Sequence, residues 1–456
     1  MIFKKKIPSL LTIVIAVFFS LYLILPNYFA FEFSENFPLL TASRILILFL
    51  AVIVFVKKRG KVVFIIRDNG YITFILILLF VNVVNISSSY ISSIKTVFLY
   101  TFEYLLLSYL IVSLVNDEKK INVAISAMVY ASIIVGILGA IETIFGVNFF
   151  YYLTTTEREM LQSQYMRYGV LRASGPFGHA VYFGNYALCI LPFCLYLYDM
   201  HKKIIFFFAF LLNIVSIFLS GSRASVVFLI FLLLYILSIK SRVDIKKYTR
   251  ILFQLFPLVV VVVILFPNFM DMLFTVFESS LDSLVNSSTE RFDVTVGNAN
   301  ALQSRLEQWS GILWTIINEK TLFGFGNNAH MDGLISYLVD GKWARRVTFD
   351  VGFVAVFCQY GLIGTVGYFI LYFTRFINIY EQKKIMNSML KKDNCSSLVF
   401  RLLDLQTTFQ IFFVGYLIHL FSSSGVDKLL VIVISLQISA NCIFKKSVSN
   451  MNTNVI

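Results

Sequence analysis

Six arginines carry most of the chemistry that this sequence offers. Arg167 and Arg172 lie in Arg167-Tyr-Gly-Val-Leu-Arg172-Ala-Ser-Gly-Pro-Phe-Gly178-His179, and Arg223 lies in Ser220-Gly221-Ser222-Arg223-Ala224-Ser225. Arg305 opens Arg305-Leu-Glu307-Gln308-Trp309, while Arg345 and Arg346 stand just before Asp350. A guanidinium is a planar, permanently charged fork that grips phosphate through two parallel hydrogen bonds. Held in place, such groups stabilise negative charge developing on a leaving phosphate without a metal. Two groups in the same region can take a proton, Asp350 and His330. Trp309 follows Arg305 by four residues, so on a helix the two share a face. Trp309 would then serve as a platform for a sugar ring or as an interface anchor.

Each of these residues also has a plainer reading. Arginines at a membrane boundary snorkel to lipid phosphate. His330 would serve as a hydrogen-bonding structural residue, and Asp350 would pair with Arg345 or Arg346. Arg223 stands out because the turn around it has almost no length, which sets the charge at the membrane boundary, where an ionisable side chain is costly. Glu103, Glu142 and His419 fall inside apolar runs. There they are either ion-coupling groups, as in carriers, or neutral and hydrogen-bonded.

The elements that must hold these residues are membrane helices. The chain has 456 residues, 58% of them hydrophobic and only 14% charged. Runs long enough to cross a bilayer recur throughout, and hydropathy gives about twelve spans. They are expected near 7–25, 39–56, 71–87, 97–115, 121–145, 180–198, 204–220, 224–239, 250–267, 351–373, 405–424 and 427–444. The run from Ile7 to Leu25 reads as a first span rather than a cleaved leader. The sequence thus predicts an all-α polytopic membrane protein forming a single domain over 1–456, with the tail 447–456 polar and disordered.

Lysine and arginine collect in alternate connections, around Lys57 to Arg67, Lys119 and Lys120, Lys202 and Lys203, Lys240 to Arg250, and Arg375 to Arg401. Such an excess marks the cytoplasm, so both termini are expected inside. The net charge of +13 is then topogenic. It argues for contact with anionic membrane lipid and against nucleic acid. Two long connections fall on the opposite, extracytoplasmic side: 146–179, and 268–350, which holds most of the candidate catalytic residues. The five cysteines, Cys189, Cys194, Cys358, Cys395 and Cys442, avoid both loops and have no zinc-site spacing. No Walker loop or HExxH helix is present, and no carboxylate cluster points to a metal or other cofactor.

Taken in order, several of these motifs resemble the bacterial O-antigen polymerase and O-antigen ligase superfamily. They are Arg172-Ala-Ser-Gly-Pro-Phe-Gly-His before a span, Leu219-Ser-Gly-Ser-Arg223-Ala-Ser at a tight outer turn, Gly324-Phe-Gly326 late in the large loop, and Phe349-Asp350 before Gly361-Leu-Ile-Gly364. The resemblance spans roughly 120–375. It implies a GT-C-like, metal-independent membrane glycosyltransferase of the bacterial cytoplasmic membrane, acting at the extracytoplasmic face on undecaprenyl-diphosphate-linked oligosaccharide. A polymerase joins repeat units; a ligase moves a finished glycan to another acceptor. Many members place a histidine before Asn or Ser where this chain has Phe349-Asp350, which leaves Asp350 and His330 both open as the base and tilts the reading toward a polymerase. The resemblance further implies a chain-length regulator and a flippase as pathway partners. From another functional class, a lipid-linked oligosaccharide flippase or secondary transporter would suit twelve spans. It should show repeated halves and a polar site between broken helices, and the sequence displays neither.

Overall fold

Helices begin where the sequence supplies a side chain to satisfy the first free backbone N–H groups. Ser9, Thr41, Asp68 and Asp117 each accept a bond from the backbone N–H three residues on, opening α1 (Leu10–Ile24), α2 (Ala42–Lys57), α3 (Asn69–Val84) and α6 (Glu118–Phe145). His179 does the same for α7 (Ala180–His201) through Val181. Between α3 and α6 the chain forms α4 (Tyr90–Leu99) and α5 (Leu107–Leu114), joined by a π-helical stretch at Tyr100–Leu106. Then follow α8 (Ile204–Leu219), α9 (Arg223–Ile239), α10 (Gly352–Leu390), α11 (Ser397–His419) and α12 (Asp427–Thr453). The structure is a computed structural model. It describes residues 9–34, 37–58, 68–85, 90–156, 166–167, 170–239, 321–326, 336–339, 342–345, 352–390, 397–420 and 427–453.

Six helices among the described residues are long and apolar enough to cross a membrane: Ser93–Leu114, Glu118–Phe145, Ala180–His201, Gly352–Met389, Leu398–His419 and Lys428–Ser447. Leu10–Ile24, Asn69–Val84, Ile204–Leu219 and Arg223–Ile239 are shorter apolar helices. The protein is therefore a mostly helical, multi-pass membrane protein. The expected span at 250–267 lies outside the described residues. Every other expected stretch holds a helix.

Two expectations need correction. α12 runs to Thr453, so most of the stretch expected to be a disordered tail is helical. Ser447 bonds back to the Ile443 carbonyl at 2.9 Å and keeps the helical register. In the same way α10 passes its expected end at 373 and reaches Leu390. Hydropathy registers where a helix leaves lipid, whereas the backbone ladder continues through polar residues. The little sheet present is consistent with an all-α membrane protein. Among the described residues, three two-stranded antiparallel hairpins pair Ala30–Phe31 with Leu40–Thr41, Met166–Arg167 with Val170–Leu171, and Ser336–Val339 with Lys342–Arg345.

The bundle is organised around α7, which is buried along most of its length. It packs most extensively against α8, while α1 lies on α6 and α3 on α10. Phe193 of α7 meets Phe409 and Phe412 of α11. At one end of the bundle, called here the loop end, the connections after α1, α6 and α8 come together. Tyr28 reaches the Gly175 carbonyl, the Ala30 N–H donates to Thr155 Oγ1 at 2.8 Å, and Thr156 donates to Glu32. The far end carries ion pairs, Asp68 with Arg375 and Glu118 with Arg401.

Candidate active site at the loop end

Arg172 leaves the short hairpin Met166–Leu171 and turns into the bundle, where it is 7% exposed. Two contacts seat it against the turn that follows α8. The Ala173 N–H donates to the Leu219 carbonyl at 3.0 Å, and Arg172 Nε donates to the Ser220 carbonyl at 2.7 Å. The guanidinium stem lies flat on Gly221. A Cβ there would come within 3.1 Å of Arg172 Cγ, so the arginine would have to shift, and the backbone φ of +56° favours glycine. Burial pushes the Arg172 guanidinium down to about 10. That is still far above neutral pH, so the charge is kept.

Arg223 is the first residue of α9, half-buried, two residues beyond Gly221. The turn is stitched to α7 by hydroxyls: Ser225 Oγ donates to Asn185 Oδ1 at 3.0 Å and meets Ser222 Oγ at 2.9 Å. The short link expected from the sequence is therefore real. It packs Arg172 on Gly221 and sets Arg223 two residues along, as the first residue of α9, at the positive end of that helix dipole.

The loop carrying Arg172 is itself held from below. Glu142, near the end of α6, accepts four bonds: from Asn148 Nδ2 (3.0 Å) and Ser174 Oγ (2.9 Å) on one oxygen, and from the Ser174 (3.1 Å) and Gly175 (2.9 Å) N–H groups on the other. Asn148 also donates to the Gly175 carbonyl, and Tyr151 meets Ser174 Oγ. Burial holds the Tyr28 and Tyr151 phenols above their ordinary value. The other intramembrane ionisable groups are also accommodated. Glu103 pairs with Arg44 at 2.6 Å, and His419 is fully buried with its ring edge-on to Tyr416 at 4.5 Å.

A second feature at this end is a break in α10 at Gly361, where the backbone leaves helical geometry (φ 61°, ψ −161°). Residues 321–326 fill the break. Leu362 and Ile363 donate to the Thr321 and Leu322 carbonyls, while the Cys358 and Gln359 carbonyls accept from Phe325 and Gly326. Asn85 at the end of α3 caps the Phe323 carbonyl at 2.9 Å. Carriers use broken helices to present backbone groups to ions. Here the protein's own chain takes up those groups. The Gly324-Phe-Gly326 motif is thus an anchor for the large loop.

The remaining candidates divide in two. Arg167 and Arg345 lie in described strands, with Arg167 opposite Val170 and Arg345 opposite Ser336. Arg305, Trp309, His330, Arg346 and Asp350 lie outside the described residues. A described cavity of about 750 Å³ lies between α1 and α6 near Glu118, His201 and Arg401, at the far end, and contains none of the candidates. From the sequence alone the role of Glu142 is open, and no motif marks Asn148 or Ser174 as its partners. The signal that was available is an acid near the end of an apolar run, followed within the next connection by an Asn and a Ser-Gly pair.

Comparison with curated proteins gives no match. A scan of family models does: residues 208–369, from α8 through the large loop into α10, match the family described as O-Antigen ligase. This stretch holds the Arg223 turn, the Gly324 anchor and the Gly361 break, and over it the chain is similar to that family.

Proposed function

We propose that the protein is a polymerase joining undecaprenyl-diphosphate-linked oligosaccharide repeat units into a surface polysaccharide, at the extracytoplasmic face of the bacterial cytoplasmic membrane. The observation that carries this reading is the seating of Arg172 on the Ser220–Gly221 backbone beside Arg223. A buried, seated guanidinium beside a helix whose first residue is a second arginine is suited to a diphosphate.

In the proposed reaction the donor is a glycan on lipid diphosphate. A sugar hydroxyl of a second lipid-linked unit attacks its anomeric carbon. The bond from that carbon to the diphosphate oxygen breaks, and the lipid diphosphate departs with the electron pair, most simply with inversion. Arg172, Arg223 and Arg305 stabilise the charge that develops on the leaving group. Asp350 or His330 accepts the hydroxyl proton. Arg167, Arg345, Arg346 and Trp309 bind the glycan, the paired arginines through acidic sugars. The chemistry needs no metal. A chain-length regulator and a flippase would act beside it.

The test is purified protein with a defined lipid-diphosphate repeat unit. Longer glycans with released lipid diphosphate are expected. Lipid translocation without bond formation would overturn the reading in favour of a flippase. A second reading, the ligase, is favoured by the description of the matched family. Transfer to a foreign acceptor in place of chain growth would establish it.

A further inference from the structure

Glu142 is a buried acid near the end of a membrane helix, and the reaction proposed above does not use it. Such a residue is costly and calls for a named partner. Among the described residues the partners are four donors and no cation: the Ser174 and Gly175 backbone N–H groups, Ser174 Oγ and Asn148 Nδ2. An ionised carboxylate offers only acceptors, so this set matches the charged form without leftover valence. All four donors belong to the segment that leaves α6 and returns to α7. Three of them come from Ser174 and Gly175, the second and third residues after Arg172. On its other side the same stretch is clipped to the α8–α9 turn through Ala173 and Arg172. Arg172 is therefore held between two fixed points, the Glu142 carboxylate and the Ser220 carbonyl.

We infer that Glu142 is a positioning residue: its carboxylate, acting through Ser174, Gly175 and Asn148, fixes the loop that presents Arg172 to an anionic phosphate ligand. The functional half of this inference rests on the reading of Arg172 as a diphosphate-binding group, and the structural half stands alone. Glu142→Gln keeps size and one acceptor but turns an NH2 either toward the two backbone N–H groups or toward Asn148 Nδ2, none of which can accept; of the four, only Ser174 Oγ can. At least one of the four bonds is then replaced by a donor–donor contact. Ser174→Ala removes the side-chain bond and leaves both backbone bonds in place. It provides a milder variant should Glu142→Gln or Glu142→Ala fail to fold.

Two measurements on the full-length protein in lipid nanodiscs test this. Hydrogen exchange is read on peptides covering 172–178. Exchange there is expected to rise at least about tenfold in Glu142→Gln, and less in Ser174→Ala, while helices α7 and α8 keep their protection. Unchanged exchange in both variants overturns the clamp. Affinity for undecaprenyl diphosphate is then compared for the wild type, Glu142→Gln, Arg172→Ala and the double variant. Glu142→Gln is expected to weaken binding about tenfold or more, and the double variant is expected to bind no worse than Arg172→Ala alone. That non-additivity is the signature of action through Arg172. Additive losses overturn the positioning role. Wild type that does not bind the diphosphate at all overturns the reading of Arg172, and hydrogen exchange still decides the clamp.

Discussion

Gly324 and Gly361 meet backbone to backbone: a Cβ on Gly361 would lie 2.5 Å from the Gly324 nitrogen, and a Cβ on Gly324 would lie 2.6 Å from the Gly361 nitrogen. Both residues have positive φ. Gly361→Ala therefore adds a clash with backbone, which cannot swing aside, to a strained left-handed conformation that alone costs on the order of 1–3 kcal/mol. The variant should melt several degrees lower in detergent and lose transfer activity with it, because the end of the large loop loses its anchor. Gly364, three residues on, faces the Tyr360 side chain instead. Equal melting of Gly361→Ala and wild type would show that the 321–326 segment is not seated in the break.

Arg172 offers a test based on pH. Its guanidinium keeps its charge despite burial that lowers it to about 10. A lysine starts lower, and the same burial disfavours its charged form further. Raising the pH then neutralises the lysine and leaves the arginine charged. Arg172→Lys should lose transfer activity progressively as pH rises from about 6 to 9, a window in which an arginine does not titrate. Arg172→Ala should lose at least ~100-fold at every pH. Parallel pH profiles for wild type and Arg172→Lys would remove Arg172 from charge stabilisation.

How far the sequence could be read follows from which forces act locally. Span positions such as 204–220 and 427–444 were legible because lipid imposes a length of apolar chain on each helix. The Arg223 turn was legible because it had no residues to spare. Glu142 was visible as an anomaly, but its role was not, since its donors lie six and more residues away and depend on how the loop folds back. The break at Gly361 was hidden for the same reason. Gly361 sits in an unbroken apolar run, and only the arrival of 321–326 across the bundle supplies the bonds that make a break tolerable. The strands at 336–339 and 342–345 escape because each is only four residues long and pairs with the other, too short a stretch for alternation to register.

At the far end, the fully buried Arg375 of α10 pairs with Asp68, which also caps α3 through the Tyr71 N–H at 3.0 Å. Removing one partner of a buried pair leaves the other charge uncompensated and costs about 3–5 kcal/mol. Arg375→Met should approach that loss in thermal unfolding. Asp68→Asn can keep the cap, so it should lose less. The double variant should be more stable than the sum of the single losses predicts, because neither charge is then stranded. Additive losses would show that the two residues are not energetically coupled.

The orientation of the bundle can be tested through cysteine. Residues at the far end include Lys58, bonded to Tyr109 and Ser113, and Arg401, paired with Glu118. From the excess of Lys and Arg in the connections there, a cytoplasmic face is the expectation to be tested. The loop end, with Arg172 and Arg223, would then face outward. Asn298→Cys, inside the 268–350 connection, should react with a membrane-impermeant maleimide in intact cells. Native Cys395, in a basic connection, should react only after permeabilisation. The opposite pattern would turn the arginines toward the cytoplasm, and a polymerase working on the extracytoplasmic leaflet could not use them.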